Sequence, residues 1–266
     1  MTLSIATFLP TVASPPLFTP KEVDASKLSA LYDPDAVANI RLLLKNPAAT
    51  FRSPMQYYVY KEIMSRKRHC LYVAGCGTGK TLPFVLAVKA WGIAKQSVLV
   101  LPYEILHPDM HRRLNEVNIS NCKWSITQGS PKECVITVSI ESFSNDLFFN
   151  WLMGAASNKQ LGCIMFDEAH GIVEDQRFRP DYISAVRRLS ELPGTPVIFT
   201  SGTMSAQFTH QFWKVLDLMY RPDQAAIVVR TRTQQPKVFY QFMVLNTGYP
   251  PSMKSPARTS WYAVDV

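Results

Sequence analysis

Between about residue 34 and residue 230, two patterns of hydrophobic and polar positions alternate along the chain. Short, unbroken apolar runs predict strands that are buried on both faces of a sheet. Stretches with apolar positions three or four residues apart predict helices. The predicted strands cover residues 70–74, 97–101, 134–139, 161–166, 196–200 and 225–229. The predicted helices cover residues 34–46, 54–66, 81–91, 104–117, 142–153, 181–192 and 206–219.

This alternation predicts the fold class and the domain boundaries. Strands that alternate with helices of ten or more residues indicate an α/β fold, with a mostly parallel sheet and helices on both faces. We predict one such domain over residues 35–242. Residues 1–34 are rich in Pro, Ser and Ala and predict a flexible leader, with one short helix at 27–31. Residues 243–266 are polar and Pro-rich and predict an unstructured tail.

Composition narrows the class of protein. The 266 residues are 47% hydrophobic and 18% charged, so the chain can bury a core. The net charge of +8 favours a polyanionic partner. Five cysteines without CxxC or zinc-site spacing indicate reduced thiols in an intracellular protein. We predict no secretory signal and no membrane span, because prolines interrupt the N-terminus and no apolar run reaches roughly 18 residues.

Residues 71–81 read as a strand, a glycine-rich turn and the start of a helix. The glycines let the backbone approach phosphates closely, and successive N–H groups form an anion nest. Lys80 can reach the β- and γ-phosphates, and the Thr81 hydroxyl can bind Mg²⁺. Cys76 has two interpretations, a thiol activated by nearby Lys80 or a residue that fills an unconstrained position. The loop residues predicted to bind ATP are Gly75, Cys76, Gly77, Thr78, Gly79, Lys80 and Thr81.

A second motif, D-E-A-H, ends the apolar run at 161–166. Phosphoryl transfer needs a carboxylate that orients Mg²⁺ and a second group that positions the attacking water. Asp167 fits the first role and Glu168 the second, so Lys80 and Glu168 are the predicted catalytic residues. His170 has no such independent support, because on its own a histidine at this position is more often a plain turn residue.

The two motifs together resemble superfamily-two helicases, and further segments resemble the RecQ-like branch, especially its fungal and telomere-linked members. These are F-R-S-P-M-Q at 51–56, residues 99–113, V-S-I-E-S at 138–142, F-R-P-D-Y at 178–182 and T-S-G-T at 200–203. The resemblance implies a RecA-like P-loop domain that uses ATP and Mg²⁺ and binds single-stranded or duplex DNA. It also implies nuclear localisation.

The resemblance assigns further roles by position. Gln56 would read the adenine edge, and His170, Ser201 and Thr203 would couple hydrolysis to DNA. Ser139 would contact nucleic acid. Arg112 and Arg113 would meet phosphates, or else form a solvated helix face. The basic run at 66–68 leaves the same two alternatives open.

The segment after Val229 shows no likeness to a second motor lobe and no arginine-finger motif. We therefore expect a first lobe truncated before the second, weak or inactive as an ATPase alone unless a second chain supplies the missing lobe. The alternative is a pseudohelicase that binds ATP or nucleic acid without unwinding. A metabolic P-loop kinase is less well supported, because such an enzyme does not need D-E-A-H.

Overall fold

The computed structural model of the protein describes residues 21–24, 27–28, 31–174, 183, 186, 188–217, 226–231, 239–240 and 263–264. Eight strands form one sheet, in which every neighbouring pair is parallel. The strand order is β1-β8-β2-β7-β6-β3-β5-β4. The strands are β1 (Lys21–Glu22), β2 (His69–Val73), β3 (Gln96–Leu101), β4 (Asn121–Lys123), β5 (Val135–Ser139), β6 (Leu161–Phe166), β7 (Val197–Ser201) and β8 (Ala226–Arg230).

Helices cover both faces of this sheet, as the alternation predicts. One apolar cluster joins the inward residues of α1 to α4 to one face, and a second joins those of α5 to α8 to the other. The helices are α1 (Pro34–Leu43), α2 (Pro54–Ser65), α3 (Leu82–Trp91), α4 (His107–Glu116), α5 (Ile140–Phe143), α6 (Asp146–Ser157), α7 (Gly171–Glu174) and α8 (Ala206–Asp217). The α/β prediction is confirmed.

Alternate residues of each strand belong to opposite clusters. In β2, Leu71 and Val73 face the second cluster, whereas Cys70 and Tyr72 face the first. All four are essentially inaccessible to solvent. A strand buried on both faces needs apolar residues at every position, which explains its unbroken apolar run.

Two predicted helices differ from those observed. The helix predicted at 104–117 begins as a 3₁₀ turn over Glu104–Leu106 and becomes α-helical only at His107. The helix predicted at 142–153 is two helices, α5 and α6. Asn145 separates them, because its side-chain oxygen accepts hydrogen bonds from the backbone N–H groups of Leu147 and Phe148 and so starts a new helix.

Two short strands escaped the sequence analysis. β1 lies inside the segment predicted to be a loose leader and pairs with β8 at the sheet edge. β4 pairs with β5 at the opposite edge and has the polar sequence N-C-K. Two further short strands, β9 (Phe239–Tyr240) and β10 (Ala263–Val264), form an antiparallel pair, and β10 lies within the predicted tail.

Several predicted features fall outside the described residues. These are most of the leader and tail, the F-R-P-D-Y segment, and residues 181, 182, 184, 185 and 187 of the helix predicted at 181–192, in which residues 183, 186 and 188 are helical and Leu189–Glu191 form a 3₁₀ turn. None of the helices in the described part of the chain has the length and apolar character that a bilayer crossing requires.

The topology gathers the predicted motifs. β2, β7 and β6 are adjacent in the sheet, and the chain leaves each at its carboxyl end. The loop 74–81 follows β2, D-E-A-H follows β6, and residues 202–203 follow β7. In a parallel sheet, loops at the carboxyl ends of neighbouring strands lie side by side and form the usual ligand-binding edge.

Candidate active site

The loop after β2 has the backbone geometry of an anion-binding turn. Gly77 and Gly79 have φ values of +74° and +80°, which L side chains rarely adopt. Gly75, which the sequence analysis grouped with them, does not have positive φ. Instead, its carbonyl accepts a 2.7 Å hydrogen bond from the Thr78 hydroxyl, which closes the turn. Helix α3 then begins at Leu82, so its N-terminus faces the loop.

Gln56 forms a brace for the phosphate loop through side-chain hydrogen bonds. Its side chain is completely buried, and Nε2 donates hydrogen bonds to the carbonyls of Gly79 at 2.9 Å and Thr78 at 3.4 Å. Its Oε1 accepts a 2.9 Å hydrogen bond from the Arg52 backbone N–H. A Cβ on Gly79 would lie 3.0 Å from Nε2, so the loop approaches as closely as glycine allows. The Oε1 and Nε2 atoms of the Gln56 amide therefore both form hydrogen bonds within the protein, whereas the resemblance implies that they would contact adenine.

Arg52 strengthens the same brace. Its Nη1 donates to the Gly77 carbonyl, while Ser53 caps α2 by accepting from the Gln56 backbone N–H. The F-R-S-P-M-Q segment thus holds the phosphate loop at three successive carbonyls. Sequence reasoning identified the segment but missed these contacts, because they join residues more than twenty positions apart.

Lys80 points across the site toward D-E-A-H. Its ammonium nitrogen lies 3.9 Å from Glu168 Oε1, and its side chain is only 10% exposed. A Cβ on Gly202 would lie 3.3 Å from this ammonium and 3.2 Å from the Cys76 sulfur, so the loop after β7 also borders the lysine. The structure therefore brings Lys80, Glu168 and Gly202 to one place.

Asp167 is held at the end of β6 by a hydrogen bond from β7. The Thr200 hydroxyl donates to Asp167 Oδ1 at 2.7 Å, and the Glu168 backbone N–H donates to the same oxygen at 3.0 Å. Burial raises the pKa of Asp167, and repulsion from Glu168 adds to it, while Thr200, the backbone donor and Lys80 oppose the rise. Thr200 was outside the predicted site residues.

Glu168 occupies a left-handed backbone conformation, with φ of +47°. This conformation is uncommon for a residue with a side chain and is found at functional turns. His170 Nδ1 lies 3.2 Å from Glu168 Oε2, and the Gly202 backbone N–H donates to that oxygen at 3.4 Å. The hydrogen bond from His170 lowers the pKa of Glu168 against the effect of burial, and Lys80 adds to the lowering. Glu168 is therefore a carboxylate able to accept a proton or orient a water.

The loop after β7 joins this network through Ser201. Its hydroxyl lies 3.2 Å from His170 Nδ1 and accepts a 3.3 Å hydrogen bond from the Thr203 backbone N–H. A change at the 201–203 loop therefore reaches Glu168 through His170. The physical connection that coupling requires is present among these three residues, although the role itself stays a prediction.

The predicted nucleic-acid residues have partners within the protein. Arg112 pairs with Asp109 and Glu116, and Arg113 Nε lies 2.8 Å from Asp109 Oδ2, all on the exposed surface of α4. This arrangement matches the solvated helix face. Ser139 is only 4% exposed, and its hydroxyl caps α5 by accepting from the Ser142 backbone N–H. Nucleic acid would have to displace these contacts or bind the backbone.

The donor set fits a magnesium ion. The Thr81 hydroxyl makes no capping hydrogen bond at the start of α3, and Asp167 supplies a carboxylate across the site. Mg²⁺ prefers such hard oxygen ligands and usually keeps several waters. Asp167 and Thr81 are therefore the residues that would hold Mg²⁺ beside a nucleotide.

Comparison with known structures shows the same fold in other proteins. Solved structures with the same fold include the DUF1998 helicase MrfA bound to DNA, with a TM-score of 0.58 and 16% identity over 81% of this chain and 32% of that one. MrfA bound to DNA and AMPPNP gives a TM-score of 0.55 and 15% identity over 80% and 31%. The chain thus spans about a third of their length.

Matches to sequences give the family. The search of curated proteins finds no relative. Residues 53–212, which are more than half of the chain and contain both motifs of the site, match the family described as DEAD/DEAH box helicase. The chain belongs to the DEAD/DEAH box helicase family.

Proposed function

We propose that this chain is the ATP-binding lobe of a RecQ-like DNA helicase and hydrolyses ATP with Mg²⁺. The observation that carries the proposal is the approach of Lys80 to Glu168 across the carboxyl edge, with Asp167 fixed beside them by Thr200. These groups stand on three adjacent strands. A chance glycine-rich turn would not bring a lysine, a metal carboxylate and a second carboxylate together.

The chemistry divides among these side chains. When bound, Mg²⁺ neutralises charge on the phosphates. Lys80 exchanges its pairing with Glu168 for the terminal phosphates, which leaves Glu168 free to orient the attacking water. The lowered pKa of Glu168 keeps it ionised for that role. His170, which holds Glu168, links this position to Ser201 and Thr203.

DNA as the partner is also part of the proposal. It is supported by the RecQ-like segments, by the net charge of +8, and by solved structures of the same fold that contain DNA. Arg112, Arg113 and Ser139 stay the proposed contacts, and DNA would have to displace their present partners within the protein. Nuclear localisation, and a second lobe supplied by another chain, are proposed on the resemblance alone.

The test is steady-state ATP hydrolysis by the purified chain, with and without single-stranded DNA. We expect turnover that DNA increases and that Glu168→Gln reduces about a hundredfold or more, because the variant removes the water-orienting carboxylate. Lys80→Ala is expected to weaken ATP binding itself. Glu191→Gln, a carboxylate change in the 3₁₀ turn before β7, serves as the matched control.

Three results would contradict parts of this proposal. Retained ATP binding without any turnover would favour the pseudohelicase alternative. Turnover that Glu168→Gln leaves unchanged would mean that another site carries out the hydrolysis. Turnover that depends on Glu168 but responds to no DNA would remove the DNA-helicase assignment.

A further inference from the structure

A basic pocket lies at the amino-terminal ends of the strands, opposite the end of the sheet that carries the phosphate loop. Three cationic residues line it, namely Arg66, Lys95 and Lys159, and its walls include Ala156 and Pro193. Its volume is about 610 Å³. None of these residues belongs to the motifs that form the nucleotide site.

The fold places the three cations together. Arg66 ends α2 just before β2, Lys95 directly precedes β3, and Lys159 stands two residues before β6. The pocket lies where these three strands begin, whereas the nucleotide motifs follow the carboxyl ends of the strands. The basic pocket is therefore separated from the nucleotide site by the length of the sheet.

Arg66 is held in the pocket by its backbone and one hydrogen bond. It caps α2 in the left-handed conformation, with φ of 55° and ψ of 26°, where glycine is the usual residue. Its Nη2 donates to the Leu161 carbonyl at 2.7 Å, while its buried Nε has no acceptor in the described part of the chain. A guanidinium with five donors is thus only partly satisfied.

Lys95, like Arg66, uses only part of its hydrogen-bonding capacity. Its ammonium donates to the Lys159 carbonyl, which leaves further N–H donors available. Burial lowers the pKa of Lys95, and repulsion from Arg66 and Lys159 lowers it further. Lys95 therefore experiences the repulsion of two neighbouring positive charges.

The pocket cations have no carboxylate partners within the described part of the chain. Among the residues that the structure describes, no Asp or Glu forms an ion pair with Arg66, Lys95 or Lys159. The neighbouring Arg68 shows the ordinary arrangement, because it pairs with the buried carboxylate of Glu62. The basic run at 66–68 therefore splits into one paired arginine and one that faces the pocket.

We propose that the basic pocket of Arg66, Lys95 and Lys159 binds a phosphate-bearing anion. A phosphate group supplies several acceptor oxygens and a charge that relieves the repulsion among the three cations. The apolar walls of Ala156 and Pro193 would strengthen these charge-assisted hydrogen bonds by excluding water. The concave shape favours a compact polyphosphate, and the same chemistry would also accept one backbone phosphate of a nucleic acid.

The experiment titrates tripolyphosphate into the Lys80→Ala chain, because an intact phosphate loop would bind the same probe. Binding is measured by calorimetry in the Lys80→Ala chain and in the same chain that also carries the double variant Lys95→Gln/Lys159→Gln. Lys67→Gln is the matched control, since Lys67 is exposed, adjacent in sequence and outside the pocket lining. Arg66 is left intact because it also holds the Leu161 carbonyl.

We expect saturable binding that the double variant weakens about tenfold or more and that Lys67→Gln leaves unchanged. A short oligonucleotide, titrated in parallel, distinguishes the two sources of phosphate. If it alone binds, with the same dependence on Lys95 and Lys159, the anion is a backbone phosphate. Absence of binding by both probes, or equal weakening by Lys67→Gln, would overturn the proposal. A urea-unfolding curve for each variant confirms that it is folded.

Discussion

The charge on Asp167 depends on one hydroxyl group of the neighbouring strand. Asp167 is partly buried at the end of β6, and this burial raises its pKa above the ordinary value of 3.8. The Thr200 hydroxyl is the nearest group that opposes this rise, at 2.7 Å. Because Mg²⁺ binds the carboxylate and not the acid, Thr200 extends the pH range in which the metal can bind, together with the Glu168 backbone N–H and Lys80.

Thr200→Val is expected to raise the Mg²⁺ concentration needed for half-maximal ATP hydrolysis about tenfold, since a hydrogen bond to a charged group contributes about 1.5–3 kcal/mol. The requirement should increase further as the pH falls toward the raised pKa of Asp167. Thr200→Ser keeps the hydroxyl and is the control. An equal Mg²⁺ requirement in the two variants would contradict this role.

The raised pKa of Asp167 also determines how the stability of the folded protein changes with pH. A carboxyl whose pKa is higher in the folded than in the unfolded protein favours folding below the unfolded pKa and loses that contribution as the pH rises through the folded pKa. Without Mg²⁺, Thr200→Val should therefore lose more stability at neutral than at acid pH. Thermal unfolding at the two pH values checks this.

A second residue-level prediction concerns Cys76. Its thiol is exposed and its sulfur lies beside Gly202 and Lys80, whereas Cys70, Cys134 and Cys163 are buried. Alkylation with a maleimide is expected to abolish ATP binding, because the adduct would fill the space in front of Lys80. Bound ATP should protect the thiol, and Cys76→Ser should resist the reagent. Inactivation of Cys76→Ser would point instead to Cys122, which is half-buried.

How far the sequence predicts the site depends on the range of the contacts. Lys80, Asp167 and Glu168 belong to short motifs whose spacing already carries their chemistry. Thr200 and the brace made by Gln56 join residues 33 and 23 positions apart, and local patterns hold no information about such pairs. The structure was needed to show that the Gln56 amide contacts the phosphate loop.

At the scale of elements, α2 and the phosphate loop act as a unit. The N-terminal turn of α2 supplies Gln56, and the preceding Arg52 reaches the Gly77 carbonyl. A loop with three carbonyls held in this way has fewer conformations before nucleotide binds. The position of α2 should therefore influence the loop even without ligand.

Gln56→Ala is expected to destabilise the nucleotide-free chain by about 1–3 kcal/mol, because it leaves buried carbonyls and the Arg52 N–H without partners. Chemical denaturation without ATP measures this loss. A residue that only reads adenine would leave the nucleotide-free stability unchanged, so that result would contradict the brace. Gln160→Ala, an exposed glutamine change before β6, serves as the control.

The strands were more predictable than the helix boundaries. Most residues of the strands in the middle of the sheet are apolar, because both faces of the sheet are buried. The buried polar residues in these strands are Ser or Thr, such as Thr200 and Ser201. The edge strands β1 and β4 are short and polar, and pairing with a neighbour alone defines them. The break between α5 and α6 depends on one cap, Asn145, within a continuous apolar pattern.

For the molecule as a whole, aromatic packing ties the site to the core. Phe143, Phe166, Phe199 and Phe212 form a chain of ring contacts with centroids 5.1–5.4 Å apart. Phe166 directly precedes Asp167, and Phe199 directly precedes Thr200. The core between the sheet and the helices α5 and α8 therefore positions the metal carboxylate and the hydroxyl that contacts it.

Phe166→Ala is expected to reduce the free energy of unfolding by about 3–5 kcal/mol, because a buried ring would leave a cavity among close neighbours. Leu42→Ala, at a position 77% exposed on α1, should change it by less than about 0.5 kcal/mol. Urea denaturation compares the two variants. Similar small losses in both would show that the core refills around position 166.

The position of β2 in the sheet has a consequence for synthesis. This strand carries the phosphate loop, yet its two neighbours are β7 and β8, whose residues are translated long afterwards. At typical ribosome speeds the delay is on the order of ten seconds. During that time both edges of β2 offer unpaired backbone groups to any other chain nearby. The same strand order that gathers the nucleotide-binding loops thus leaves the strand that carries the phosphate loop unpaired until β7 and β8 have been synthesised.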